Sequence, residues 1–372
     1  MEGKKEILVV AGTRPEFIKL FPVVAELDGR PWANRFFVST GQHTNLVSET
    51  VSALDIVDFD VEYCAVEYSS GGANAALAGI LTDLSAIGKK HSPDMIVVQG
   101  DTTSTLAGAL FGFNNRIPVM HVEAGIRTYK REPYPEEGNR QIISRIADIN
   151  CCPTEYAARS LGREHIQGRI CVTGNTEIDA VYYALDNCIP RKHYAIDSSR
   201  RSIIVTLHRR ENVGPPIINA CRDIVKLANA FELDIFVTKH PNPSVSKLIE
   251  EHLGDQEINF NSSIMVIDPM DFVSFIHQVV EADIVITDSG GIQENTSALG
   301  IPSVIVRDST GRPEGANSCI LAGTDPGAVY DATASLLKSA TKYGKLSEAA
   351  CPFGDGSAAR QIVDIIAEEL CM

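Results

Sequence analysis

Short apolar runs recur along the chain, and each stops at a polar cluster. ILVVA ends at Gly12-Thr13-Arg14-Pro15-Glu16, MIVVQ at Gly100-Asp101-Thr102-Thr103, and IPVM at His121-Val122-Glu123-Ala124-Gly125. IIVTL ends at His208-Arg209-Arg210-Glu211, and IVIT at Asp288-Ser289-Gly290-Gly291. Runs this apolar, separated by helical stretches, predict parallel strands buried on both faces. Strands are predicted at 6–11, 35–40, 94–99, 117–121 and about 149–152, with helices at 15–28, 44–54, 73–90, 103–113 and 136–147. A second alternating set follows Thr173-Gly174-Asn175, with strands near 202–207, 233–238, 264–267, 283–287 and 302–306.

Two successive α/β sets predict two doubly wound domains facing each other across a cleft. The boundaries expected are 1–174, joined by a C-terminal helix at about 356–372, and 175–355. Asn187 to Ser199, polar and holding Pro190, reads as a loop or insertion before the first strand of the second domain. In parallel sheets ligands bind outside the carboxyl ends of the strands, where the polar clusters lie.

Composition narrows the partners. The chain has 372 residues and a net charge of −15, with 44% hydrophobic and 22% charged residues. Its length fits two domains. The acidic balance argues against nucleic acid as the main partner. No apolar run is long enough to span a bilayer. MEGKKEILVV lacks a signal-peptide pattern, and the nine cysteines include no C-x-x-C pair that would suggest zinc. They read as reduced cytosolic thiols, so a cytoplasmic location is expected.

The clusters carry the candidate chemistry. Arg14 opens a helix and Lys19 follows a turn later, so both suit a phosphate favoured by the helix dipole; a solvated helix start is the alternative. Asp101 follows one strand and Glu123 the next, which predicts two neighbouring carboxylates whose proton affinities are pushed apart. Asp101 is also a plausible cap of the helix behind it. Glu136 starts a helix after the Tyr129–Pro135 loop, where an acid also suits the dipole. His208, flanked by cations, suits either a phosphate or a proton transfer, or a structural role. Ser289-Gly290-Gly291 lets backbone N–H groups approach a pyrophosphate, with Arg307 and Arg312 supplying charge after the next strand.

Taken in order, GTRPEFIK, TGQH, GDTTSTLAG, HVEAGIRT, PEEGNR, TGNTEID, HRRE, HPNP, DSGGIQE, RPE and FGDG resemble the non-hydrolysing UDP-N-acetylglucosamine 2-epimerases of bacteria and archaea. The resemblance runs from Gly12 to the C-terminal helix. It implies two Rossmann-like domains arranged as in B-type glycosyltransferases, with UDP mainly on the C-terminal one. It also implies a cytoplasmic homodimer serving envelope polysaccharide synthesis, with a UDP-sugar substrate and no cofactor or metal. In that family UDP leaves by anti elimination to 2-acetamidoglucal and returns as a proton reaches the other face of C2. The matching acid/base set is Asp101, Glu123 and Glu136, with His208 assisting the diphosphate. The matching substrate-binding positions are Arg14, Lys19, Arg140, Phe275, Ser289, Gly290, Gly291, Glu294, Asn295 and Arg312.

Three departures stand out. Asn295 occupies a position where the family usually has a second Glu, on the ribose hydroxyls. Gln42, Arg209 and His240 match the family's allosteric pocket, but Val66–Gly71 lacks the expected Arg-Gln pair. Leu207 precedes His208 where many relatives have Gly, a pattern that points to a diacetamido or uronic sugar. Competing readings are a hydrolysing epimerase releasing ManNAc and UDP, a glycosyltransferase on the same fold, and a nucleotide-sugar sensor. Pro15 argues against the first, the set of three carboxylates against the second, and retention of those acids with His208 against the third.

Overall fold

The computed structural model describes residues 3–41, 44–54, 56, 61–64, 72–209, 212–240, 243–254 and 262–370, with 44–48 as backbone only. Gln42, Val66–Gly71, Arg210, Glu211 and the Pro241-Asn242 part of the HPNP motif therefore lie outside the described residues. The chain forms two compact units, one of 1–186 with 354–372 and one of 187–353.

Unit 1 holds β1 (Lys5–Ala11), β2 (Ala33–Ser39), β3 (Val61–Tyr63), β4 (Met95–Gln99), β5 (Val119–Val122), β6 (Ile149–Cys152) and β7 (Arg169–Val172). They make one parallel sheet in the order β3-β2-β1-β4-β5-β6-β7. The intervening helices are α1 (Arg14–Asp28), α2 (Thr44–Ala53), α3 (Gly72–His91), α4 (Thr103–Asn115), α5 (Glu136–Ile146), α6 (Glu155–Arg163) and α7 (Thr176–Asn187). Leu8, Val10, Ile96 and Val98 point to one face and join Ile80, Leu84 and Leu106 of α3 and α4 in a single apolar cluster. Their neighbours Ile7, Val9, Met95 and Val97 are just as buried, so the strands are covered on both sides, as their unbroken apolar character predicts.

Unit 2 holds β8 (Arg201–Thr206), β9 (Leu233–Thr238), β10 (Ser263–Ile267), β11 (Ile284–Thr287), β12 (Ser303–Ile305) and β13 (Cys319–Leu321), all parallel, in the order β10-β9-β8-β11-β12-β13. Its helices are α8 (Pro215–Ala230), α9 (Pro243–Leu253), α10 (Phe272–Val280), α11 (Gly290–Ala298), α12 (Ala328–Leu337) and α13 (Ala340–Ser347). Alternate residues of β8 serve opposite faces. Ile203 and Val205 pack with Ile217, Ile224 and Ile249 of α8 and α9. Ile204 packs with Phe236 and with Val279 of α10. The 188–199 segment has no helix or strand and is tied to α10: Arg191 and Lys192 N–H donate to Ser274 Oγ, and Tyr194 N–H donates to Gln278 Oε1 at 2.8 Å.

The chain then returns to unit 1 as α14 (Ala358–Glu369). Asp179 of α7 anchors its start, accepting from Ala359 N–H at 2.8 Å. Burial raises the Asp179 carboxyl to about 6 against the opposing pull of the Ala359 and Ala358 N–H groups. Through Ile178, Val181 and Ala184, all fully buried, α7 itself packs into unit 1. The contacts of unit 1 therefore run past Asn175, as far as Asp186.

In each sheet the strand order reverses beside the first strand, between β1 and β4 in unit 1 and between β8 and β11 in unit 2. Crevices for ligands form at such reversals, at the carboxyl ends of the strands. The loops there are Gly12–Thr13 and Gly100–Thr102 in one unit, and Leu207–Arg209 and Asp288–Ser289 in the other. Among the described residues no helix is long and apolar enough to cross a membrane.

Candidate active site

In unit 1 the reversal point is braced by Glu16. Thr13 caps α1, and Glu16 completes the capping box. The buried carboxylate goes further than a cap. Its Oε2 accepts from the N–H groups of Gly12 (2.8 Å) and Thr13 (2.7 Å) and from Thr13 Oγ1, while Oε1 accepts from Thr102 Oγ1 (2.5 Å) and Thr105 Oγ1 (2.7 Å). One side chain thus ties the turn after β1 to the turn after β4. Gly12 allows the close approach: a Cβ there would lie 1.9 Å from Ser104 Oγ and 2.5 Å from Thr40 Oγ1.

Three carboxylates gather beside this brace. Asp101 is ion-paired with Arg140 of α5, and its backbone oxygen accepts from Asn139 Nδ2 at 2.8 Å. Burial raises the Asp101 proton affinity, Arg140 opposes this, and the nearby charges of Glu123 and Glu136 add to it. Glu123 follows β5 at φ 65°, a left-handed conformation that a non-glycine residue adopts at some cost. That turn aims its carboxylate at Lys19 Nζ, 2.7 Å away, and Gln99 Nε2 donates to the same oxygen. Lys19 also meets Glu177 of α7, at 3.3 Å. Behind Arg140 stands Glu137, 3.6 Å from its guanidinium. Burial pushes the Glu137 carboxyl up, but hydrogen bonds from Thr128 and Gln141 outweigh it, with the Arg140 charge, and hold it below the usual range. Between these groups, His121 is fully buried and bonds Gly100 O at 2.7 Å through Nε2. Burial lowers its proton affinity to about 4, so it is a neutral ring donating to that carbonyl.

In unit 2 the brace is Asp288, also fully buried. It accepts from the N–H groups of His208 (3.0 Å) and Arg209 (3.0 Å) and from Asn212 Nδ2 (2.9 Å), tying the turn after β11 to the turn after β8. His208 Nδ1 lies 3.3 Å from Asp288 Oδ1, and its ring stacks on His240 with centroids 5.9 Å apart. Burial and the neighbouring His208 lower the His240 proton affinity, with Asp288 opposing. Ser289 caps α11, leaving Gly290 and Gly291 in its first turn. Arg312 lies over this turn: a Cβ on Gly290 would stand 3.3 Å from the guanidinium. Buried Glu294 accepts from Arg312 Nε at 2.6 Å and fixes that position.

The residues expected from the sequence thus fall into two groups. Lys19, Asp101, Glu123, Glu136 and Arg140 come together in unit 1, with Arg14 at the start of α1. His208, Ser289, Gly290, Gly291, Glu294 and Arg312 gather at the reversal point of unit 2. Asn295 is buried on α11, and Phe275 on α10 packs partly buried against the Ile204 cluster. Leu207 is buried in the apolar cluster on the α8 side of the sheet, so its side chain belongs to the core rather than to a ligand surface. Glu16, Gln99, His121, Glu137, Asn139 and Glu177 were not singled out in the sequence. The capping-box spacing of Thr13 and Glu16 was the one available signal among them.

The profile of the UDP-N-acetylglucosamine 2-epimerase family matches residues 25–367. The chain is 36% identical over 369 residues to the Bacillus subtilis UDP-N-acetylglucosamine 2-epimerase, covering 97% of this chain and 94% of that one. The Neisseria meningitidis UDP-GlcNAc 2-epimerase, solved with UDP-GlcNAc bound, superposes with a TM-score of 0.86 at 31% identity, covering 98% of this chain and 100% of that one. The Methanocaldococcus jannaschii UDP-GlcNAc 2-epimerase, solved with UDP-GlcNAc and UDP, gives a TM-score of 0.76 at 29% identity, covering 98% and 99%. With a family match across most of its length and these relatives aligned end to end, the chain belongs to the UDP-N-acetylglucosamine 2-epimerase family.

Proposed function

We propose that the protein is a non-hydrolysing UDP-N-acetylglucosamine 2-epimerase, interconverting UDP-GlcNAc and UDP-ManNAc. The observation that carries this reading is the meeting of Asp101, ion-paired with Arg140, and Glu123, ion-paired with Lys19, with Glu136 near enough for its charge to act on Asp101. Inverting C2 requires a base for a weakly acidic C–H and an acid for the opposite face. One carboxylate takes the C2 proton as the C1–O bond breaks, giving 2-acetamidoglucal and UDP. UDP then re-forms the C1–O bond while a second carboxylate delivers a proton to the other face, so atoms balance and nothing is oxidised. Burial favours the protonated form of Asp101, which suits it to donate, and leaves Glu123 as the acceptor in the same direction.

Unit 2 is assigned the UDP. The first-turn N–H groups of α11, Arg312 and His208 would stabilise the departing diphosphate. In this reading Lys19 works with Glu123, its close partner, and the domains divide into an acid/base unit and a nucleotide unit. A homodimer in the cytoplasm, making precursors of surface polysaccharide, is the setting proposed. The second reading, a diacetamido or uronic UDP-sugar, rests on Leu207 before His208, where many relatives have Gly; Asn295 in place of Glu bears on the ribose instead.

Proton NMR in D₂O with UDP-GlcNAc tests the reaction. The expected result is a new UDP-ManNAc anomeric signal with deuterium at C2. Free ManNAc and UDP would mean the hydrolysing reaction instead. An unchanged spectrum, with turnover of a diacetamido or uronic UDP-sugar, would select the second reading.

A further inference from the structure

The Lys19 ammonium has two acidic partners where one would neutralise it. Its Nζ lies 2.7 Å from Glu123 and 3.3 Å from Glu177, and all three side chains are at most 14% exposed. An acid in the first turn of α7 is ordinary on dipole grounds. Here, however, Asn175 Oδ1 already accepts from Glu177 N–H at 3.0 Å, and the Glu177 carboxylate turns to Lys19 instead. We propose that Glu177 is a positioning residue for Glu123, sharing the Lys19 ammonium so that Glu123 keeps enough basicity to accept a proton. This rests on the assignment of Glu123 as an acid/base group.

Glu123 and Glu177 compete for one cation. A lysine held by Glu123 alone would stabilise its anion fully and make it a poor base. Glu177 draws part of that charge away and adds a like charge beside Glu123. Among the described residues, Asp101, from the turn after β4 with Arg140 of α5 beside it, and the neutral His121 on β5 also act electrostatically with Glu123. Gln99 donates to the carboxylate but carries no charge. Glu177 reaches this cluster from a helix remote in sequence, which makes it separable by mutation.

Glu177→Gln keeps the shape and removes the charge. The decisive readout is the carboxyl titration of Glu123 in protein labelled with ¹³C-glutamate, its signal assigned by its loss in Glu123→Gln. In Glu177→Gln the midpoint is expected to fall by about one pH unit. The kcat near neutral pH is expected to fall about 10-fold with KM little changed, and the acid limb of the kcat profile to move the same way. Glu177→Asp should restore both. An unmoved Glu123 midpoint overturns the proposal, whatever the turnover. So does a loss of kcat that tracks a loss of Tm without any shift of the limb. Failure of the functional reading would show separately, as wild-type protein that exchanges no C2 proton in D₂O.

Discussion

In unit 1 a buried glutamate, Glu16, reaches from the turn after β1 to the turn after β4. In unit 2 a buried aspartate, Asp288, reaches from the turn after β11 back to the turn after β8. Both braces cross the place where the strand order reverses, and both satisfy backbone N–H groups that a strand-to-helix turn leaves open. What surrounds them differs. Around Glu16 the surface is built of ion-paired acids: Asp101 with Arg140, and Glu123 and Glu177 with Lys19. Beside Asp288 it is a glycine-rich helix start covered by an arginine whose direction Glu294 fixes. In the proposed function the same scaffold serves proton transfer in one unit and anion binding in the other. The difference lies in side chains presented beyond the strands, not in the sheets.

The comparison can be broken from either side. Asp101→Asn should have the largest effect, lowering kcat about 10³-fold by removing one partner of the proton transfer, as steady-state kinetics would show. Replacing a brace should cost stability without touching chemistry directly. Glu16→Gln or Asp288→Asn turns an amide N–H₂ toward backbone donors, and each should lower the unfolding free energy by about 2–3 kcal/mol in urea titrations. If either variant is as stable as the parent, the brace is not holding that reversal point. Arg312→Ala should weaken UDP binding about 30-fold by calorimetry, whereas Asp101→Asn should barely alter it.

The smallest effect concerns the α7–α14 anchor. The Asp179 carboxyl is raised to about 6 in the folded chain from an ordinary 3.8, so between these values the folded state holds the extra proton. Its contribution favours folding below about pH 4 and is lost as the pH rises through about 6. Asp179→Asn should flatten that slope and stabilise the protein by about 1–2 kcal/mol at pH 8, read from Tm against pH.

Much of this was legible in the chain because buried parallel strands are apolar along their whole length and stop sharply. The ILVVA, MIVVQ and IIVTL runs place β1, β4 and β8 to within a residue or two, and the clusters behind them mark both reversal points. The edge strands β3, β7 and β13 were not foreseen. They are three or four residues long and at least partly exposed, and RICV has no unbroken apolar character to read. The partners of the candidate acids were hidden for another reason. Glu137 and Glu177 sit in the first turns of helices, where an acid needs no further explanation, and only the packing of α5 and α7 shows what they touch. Leu207, noted in the sequence as a departure before His208, packs into the core on the α8 side of the sheet, a placement its position beside a candidate residue did not announce.

The division of labour between the units is tested most directly by calorimetric titration of Glu123→Gln with UDP. The expected result is a Kd within about threefold of the parent in a protein whose C2 exchange has fallen by about 10³-fold. A UDP affinity reduced a hundredfold or more would place Glu123 in nucleotide binding and contradict the assignment of proton transfer to unit 1.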